Sequence, residues 1–295
     1  MQFGVGLPNY SKGASVQGVR EVARAAEELG YDSVWTTDHL LVPKEHAPVF
    51  GYVIEALTTL AYVAGMTARV KLGTSIIVLA QRNAIQVAKE IASLDQLSDG
   101  RVILGVAAGW MEGEFKYFGA DFHQRGRMLD ESIAVMRAIW EQAEPSFHGK
   151  YYNFDHAVSD PKPAQARIPI WIGGNSDAAI RRAARNDGFH PNAHNPELLA
   201  QKIAQLRAQS NGRAVTISTR FSVDLDPSKP PIITTATGET RRRLTGTLDD
   251  IRNTLREYQQ VGLEYPVLFF PQADLALMLK QMETFANEVM PQVGD

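Results

Sequence analysis

Few side chains in this sequence are equipped for chemistry, and they fall at the ends of apolar runs. Asp38–His39 closes one such run; a carboxylate and an imidazole side by side can hold or pass a proton near neutral pH. Ser75–Ile76–Ile77–Val78 closes another, Gly109–Trp110 a third, and Gly173–Gly174–Asn175–Ser176 a fourth. The last lies in PIWIGGNSDAAIRRAARNDGFHP, Pro169 to Pro191. There the run Ile168–Ile172 ends in two glycines, Asn175–Ser176 forms a helix-cap pair, and Ile180, Ala183 and Ala184 follow at helical spacing. A strand, a glycine turn and a helix start present free backbone N–H groups and the positive end of a helix dipole, which suits a phosphate. An ordinary strand-to-helix turn has the same pattern, so both readings stand.

Each of these residues has a plainer alternative. His39 is either an acid–base group facing a reacting ring or a histidine satisfied by a loop carbonyl. Asp38 holds His39, contacts a ligand or caps the following turn. Trp110 lays its indole beside a planar ring or packs within its own loop. Glu112 and Glu114 read as solvated, with Arg125 or Arg127 within reach of one of them. Arg181, Arg182 and Arg185 read as the outer face of a helix, and His190 and His194 as surface or loop groups.

The elements that must position these residues alternate regularly. Strands are expected at Phe3–Leu7, Ser33–Thr37, Val70–Val78, Arg101–Val106, Ile168–Ile172, Gly188–His190, Val215–Val223 and Pro266–Phe270. A segment of helical spacing follows each, for example Val19, Val22, Ala23 and Ala26 after the first. Apolar strands without alternation suggest burial on both faces, as in a parallel sheet. Eight strand–helix pairs predict a (β/α)₈ TIM barrel with loop insertions, one domain over residues 1–295; an open doubly wound sheet is the alternative. In such a barrel the carboxyl ends of the strands carry the chemistry. Phe147–Phe154 reads as a short hairpin. The Pro-, Thr- and Arg-rich stretch Leu225–Arg243 reads as the most mobile part of the chain.

Composition excludes several classes. The sequence has no cysteine, which removes disulfides, thiolate zinc sites and cysteine nucleophiles. No metal-ligand spacing such as HxH or HExxH appears, nor a GxSxG nucleophile turn. A net charge of −3 gives no argument for nucleic acid or an anionic membrane. No apolar run is long enough to span a bilayer, and MQFGVGLPNY lacks the pattern of a signal peptide, so a cytoplasmic protein acting on a small molecule is expected.

The order of the motifs carries more information than any one of them. GVGLPN, AEELGYDSVWTTDH, VKLGTSIIVL, LDQLSDGRVILGVAAGWMEGEF, PIWIGGNS and NDGFHPN cover the first 192 residues almost without a gap. In that order they resemble the bacterial luciferase-like monooxygenase family, and within it the coenzyme F420-dependent oxidoreductases. TLDDIRNTLREYQQVGLEYPVLFF resembles the family's closing helix and strand. The resemblance implies a barrel that binds the deazaflavin F420, or alternatively FMN, at its C-terminal face. It implies that the ring packs against the third strand, with a cis peptide at Ser75–Ile76, near Asp38, His39 and Val78. It places Gly109 and Trp110 beside the cofactor and Gly173, Gly174, Asn175 and Ser176 at its phosphate. It also implies a homodimer. One departure stands out: sugar-phosphate dehydrogenases of this family carry a Glu after the fourth-strand glycine, and this chain has Trp110. The leading expectation is hydride transfer between F420 and a small organic substrate. The rivals are an FMN-dependent monooxygenase, a non-catalytic flavin-binding protein and a phosphosugar enzyme.

Overall fold

The computed structural model describes residues 1–235 and 238–293. Its barrel strands are β1 (Gly4–Gly6), β2 (Ser33–Thr36), β3 (Lys71–Thr74), β4 (Val102–Ala107), β5 (Ile170–Gly173), β6 (Gly188–His190), β7 (Thr216–Val223) and β8 (Tyr265–Phe269). Each pairs in parallel with the next, and β8 pairs with β1. That last pairing closes the sheet and excludes the open doubly wound alternative. The outer helices are α1 (Val16–Glu28), α2 (Ala56–Ala64), α3 (Ala84–Leu97), α4 (Arg125–Glu141), α5 (Asp177–Ala183), α6 (Pro196–Gln209), α7 (Leu248–Gln260) and α8 (Leu275–Glu288). Side-chain caps start most of them, including Ser15 on α1 and a full Thr247–Asp250 capping box on α7. No helix among the described residues is long and apolar enough to cross a membrane.

The strands do alternate, but in size rather than polarity. Outward positions such as Val5, Val34, Leu72, Leu104, Ile172, Phe189, Phe221 and Leu268 join the core beneath the helices. Inward positions form a second cluster of Trp35, Ile103, Trp171, Tyr265, Val267 and Phe269. These rings fit because glycines face them. A Cβ on Gly4 or Gly73 would lie 2.3 or 2.4 Å from Trp35, and one on Gly188 would lie 2.2 Å from Trp171. The polar ends of two rings converge on one hydroxyl: Trp35 Nε1 and Tyr265 Oη both donate to Ser33 Oγ, at 2.6 and 2.8 Å.

His190 caps this stack, which corrects the expectation of a surface or loop group. Its position follows from parity: Phe189 points outward, so His190 must point inward. The ring lies flat against Trp35, with centroids 5.4 Å apart and planes 12° apart. Its Nε2 meets Ser75 Oγ at 2.9 Å and its Nδ1 meets Ser218 Oγ at 2.8 Å. A hydroxyl can give or take a hydrogen, so the neutral ring satisfies both contacts.

Of three further segments, one is the hairpin expected and two differ from simple expectation. The third strand is not continuous from Val70 to Val78. Lys71–Thr74 pairs with β2, the Ser75–Ile76 peptide is cis, and Ile77–Val78 resumes pairing with β4 alone. The Phe147–Phe154 hairpin is present, with Phe147–His148 antiparallel to Asn153–Phe154. Of Leu225–Arg243, expected to be mobile, residues 236 and 237 lie outside the described residues. The rest is structured: Ile232–Thr234 pairs antiparallel with Thr240–Leu244. The reason is an edge that needs partners. β7 outruns the short β6, and Thr240–Leu244 pairs in parallel with its free upper end, Ser222 with Arg243 and Val223 with Leu244.

Two outcomes follow from this packing. Gly73→Ala forces a Cβ into Trp35 and is expected to lower unfolding free energy by about 1–3 kcal/mol. Gly65→Ala, whose Cβ meets nothing closer than 3.8 Å at the end of α2, should stay within about 0.5 kcal/mol; equal effects in urea denaturation would contradict the interior packing. The second concerns pH. Burial first, and then the charge of Arg220, push His190 down to about 3 from 6.5. The unfolded chain therefore takes up a proton that the fold refuses. Stability from this group is complete above about pH 6.5 and falls as pH drops toward 3, by up to about 1.4 kcal/mol per pH unit. His190→Gln should flatten that part of the acid limb of a stability–pH curve, and an unchanged slope would show that His190 is not held neutral.

Candidate active site

The carboxyl ends of β1 to β4 bring together the proton-carrying residues of the barrel mouth. His39 follows β2 and is partly buried. Its Nδ1 lies 3.1 Å from both carboxylate oxygens of Glu114. Glu114 is 1% exposed, so this carboxylate is not the solvated group that the sequence suggested, and neither Arg125 nor Arg127 is its partner. The cause is local. Gly109 takes φ +88°, the chain turns sharply after β4, and the one-turn helix Glu112–Tyr117 packs back with Phe115 buried beneath it. Glu112 points away and pairs with Lys116 at the surface. A carboxylate on Nδ1 fixes the imidazole's orientation, which leaves Nε2 to exchange a proton with a ligand. Among the described residues Nε2 has no hydrogen-bond partner.

Asp38 does different work from His39. It is buried and accepts from Arg82 Nη2 at 2.6 Å, Arg82 Nε at 3.3 Å and the Val78 N–H at 3.3 Å. Arg82 also reaches Glu55, the cap residue of α2, at 2.8 Å. Burial drives Asp38 upward in pKa, against the pull of Arg82. These bonds tie the end of β2 to the Ile77–Val78 segment, so Asp38 places His39 and the bulge.

Aromatic side chains from the loops wall the mouth. Phe50 lies 4.1 Å from His39, centroid to centroid, and stacks on Tyr10 at 6.1 Å. Trp110 is 46% exposed and presents edges to His46 at 5.3 Å and Phe50 at 6.3 Å. Ile76 projects from the cis peptide toward β5, where a Cβ on Gly173 would meet it at 2.9 Å. Val78 packs with Phe115, and a Cβ on Gly109 would meet it at 2.7 Å. Glycines at these rim positions therefore let the Ile76 and Val78 side chains pack closely against the neighbouring strand ends.

Against the bulge lies Arg220, which sequence reasoning missed. Nη1 donates to the Ser75 carbonyl at 3.2 Å and to Thr37 Oγ1 at 3.4 Å, and Nη2 donates to Tyr10 Oη at 2.8 Å. Its guanidinium carbon sits 3.6 Å from the centre of the Phe269 ring. A period-2 reading of TISTRFSV, with Ile217, Phe221 and Val223 outward, would have placed Ser218, Arg220 and Ser222 inward.

The Gly173–Ser176 turn is partly committed. Ser176 Oγ caps α5 by accepting from the Ala179 N–H, and Gly174 takes φ +113°. Asn175 Nδ2 donates to Glu239 at 2.6 Å, while Asn175 Oδ1 is buried without a partner. Lys202 donates to the Asn175 carbonyl, and Arg241 grips Glu239 through two nitrogens. Cations thus stand at the turn, with one carboxylate among them. Arg182 pairs with Asp130 on the outer surface, and Arg181 and Arg185 are exposed, as expected of that helix face. His194 is a loop group, as expected, just before the cap residue of α6; it lies 3.5 Å from Glu239 and is 16% exposed at its side chain.

Comparison with known proteins agrees with this layout. A family model described as luciferase-like monooxygenase matches residues 1–229. The chain is 37% identical over 174 residues to the F420-dependent glucose-6-phosphate dehydrogenase of Amycolatopsis mediterranei, covering 57% of this chain and 51% of that one. It is 36% identical over 137 residues to the FMNH(2)-dependent dimethylsulfone monooxygenase of Pseudomonas putida, covering 44% of this chain and 38% of that one. A solved structure, F420-dependent secondary alcohol dehydrogenase in complex with an F420-acetone adduct, superposes with a TM-score of 0.83 at 21% identity, over 100% of this chain and 99% of that one. The likeness of the folds covers the whole barrel, and the family match covers most of the chain, so this protein belongs to the luciferase-like monooxygenase family, which has both F420-dependent and FMN-dependent members.

Proposed function

We propose that this protein transfers hydride between coenzyme F420 and a small organic substrate. The observation that carries the reading is the His39–Glu114 pair among the aromatic side chains of the barrel mouth. Aromatic walls suit a planar ring, and the pair supplies one directed proton carrier beside it. Ser75, Ile76, Val78, Gly109 and Trp110 would line the ring. Gly173, Gly174, Asn175 and Ser176 would meet the phosphate, with Lys202 and Arg241 as the nearby cations. The two cations and the helix start at Ser176 fit such a group. The deazaflavin supplies a ring carbon that gives or takes hydride and resists oxygen.

The chain's own part is to orient and to move one proton. Glu114 holds His39 by Nδ1, so that Nε2 would take the O–H proton of a substrate alcohol while the hydrogen on the adjacent carbon leaves as hydride and C=O forms, or would return the proton in the reverse direction. Phe50 and Tyr10 exclude water from that side. Trp110 in place of the glutamate found in the sugar-phosphate dehydrogenases argues for a substrate other than a sugar phosphate. The second reading is an FMN-dependent monooxygenase; the relative in Pseudomonas putida favours it.

Parallel titrations with F420, FMN and FAD test the choice. Saturable F420 binding at micromolar or better affinity is expected, and a protein that binds FMN but not F420 would replace the first reading by the second. On an identified substrate, His39→Ala should lose about 10²–10⁴-fold in kcat while cofactor affinity stays close to the parent's. Turnover equal to the parent's would remove His39 from the mechanism.

A further inference from the structure

Arg220 stands at the barrel mouth with no acid to answer its charge among the described residues. Every hydrogen-bond acceptor of Arg220 is neutral: the Ser75 carbonyl and the hydroxyls of Thr37 and Tyr10. The neighbouring carboxylates are spent elsewhere, Asp38 on Arg82, Glu114 on His39 and Glu239 on Arg241. Among the described residues no ion pair includes Arg220. His190, the other basic group at the bulge, is held neutral by burial. Burial also pulls Arg220 below its ordinary value, but an arginine keeps its proton in any folded protein. A desolvated charge without a counter-charge is costly. Stacking on Phe269 and three neutral acceptors offset only part of that cost. The protein nonetheless fixes this charge against the carbonyl of the cis bulge, at the mouth where a redox ring would lie.

We propose that Arg220 is the counter-charge for the redox cofactor in its reduced form. This rests on the cofactor reading above. When hydride passes to a flavin-like ring, the substrate's C–H bond breaks and a C–H or N–H bond forms on the ring. The substrate loses two electrons and the ring gains them. The substrate's hydroxyl proton leaves to His39, so the ring carries one additional negative charge unless a proton follows. A fixed guanidinium beside the ring stabilises that charge without supplying a proton. Arg220 therefore tunes the cofactor's potential; it is a positioning charge and exchanges no atom with the substrate. The reduced cofactor is thereby bound more tightly than the oxidised one.

The test uses the full-length protein with F420, or with FMN if that is the ligand the parent binds. Dissociation constants for the oxidised and reduced forms and the midpoint potential of the bound cofactor are measured for the parent, Arg220→Gln and Arg220→Lys. In the parent the bound potential should lie above that of the free cofactor. Arg220→Gln should bind the oxidised form nearly as well but lose tenfold or more of the preference for the reduced form, about 30 mV at two electrons. Arg220→Lys should keep most of that preference. A parent potential at or below the free value overturns the proposal, and this holds even if the glutamine variant does not fold. An unchanged potential in Arg220→Gln overturns it too, as does a lysine variant that behaves like glutamine. A parent that binds neither F420 nor FMN in either state defeats the cofactor reading itself, and this proposal with it.

Discussion

A closed barrel of eight strands has an interior of nearly fixed width, and filling it is the constraint on which the rest of this structure depends. Here it is filled by Trp35, Trp171, Tyr265 and Phe269 rather than by layers of branched aliphatics. Such rings fit only where the facing strands carry glycine, at Gly4, Gly6, Gly73 and Gly188. The stack rises until it meets polar groups at the mouth. His190 closes it, with Ser75 and Ser218 on either nitrogen, and Arg220 lies on Phe269 beside it. The floor of the site is thus the top of the core, and a change of ring size below would move the charged groups above.

On that floor the ionisable residues sort by partner. Asp38 is used to brace Arg82 and the bulge, and Glu239 to brace Arg241 and Asn175. Glu114 is used to aim His39. Beside the bulge, the groups left with capacity for a ligand include the far nitrogen of His39 and the charge of Arg220. One can move a proton and the other can answer a negative charge, and a redox ring with an acid–base partner calls for both.

Much of this was legible in the sequence because parallel strands and amphipathic helices leave strong local patterns. All eight strands and their helices were placed to within a few residues, and Ser176 is the helix cap that its position implied. The failures share a cause. Glu114 and His39 are 75 residues apart, and nothing local marks a buried partner on a one-turn helix. Likewise, the pairing of Ile232–Thr234 and Thr240–Leu244 depends on the free upper edge of β7, which no inspection of a Pro- and Thr-rich stretch reveals. His190 and Arg220 are a different matter: their inward direction follows from the parity of Phe189 and Phe221, and reading the strands as uniformly apolar concealed it.

The central claim is that the mouth between His39, the Ser75–Ile76 bulge and Gly173–Ser176 holds a flavin-like cofactor beside an aimed imidazole. A crystal structure of the protein with bound cofactor tests it most directly. The ring is expected against Ser75–Ile76, the phosphate at Asn175–Ser176, Glu114 still on His39 Nδ1, and His39 Nε2 facing the ring's reactive edge. A cofactor bound away from this mouth, or a His39 that swings off Glu114, would overturn the proposed function.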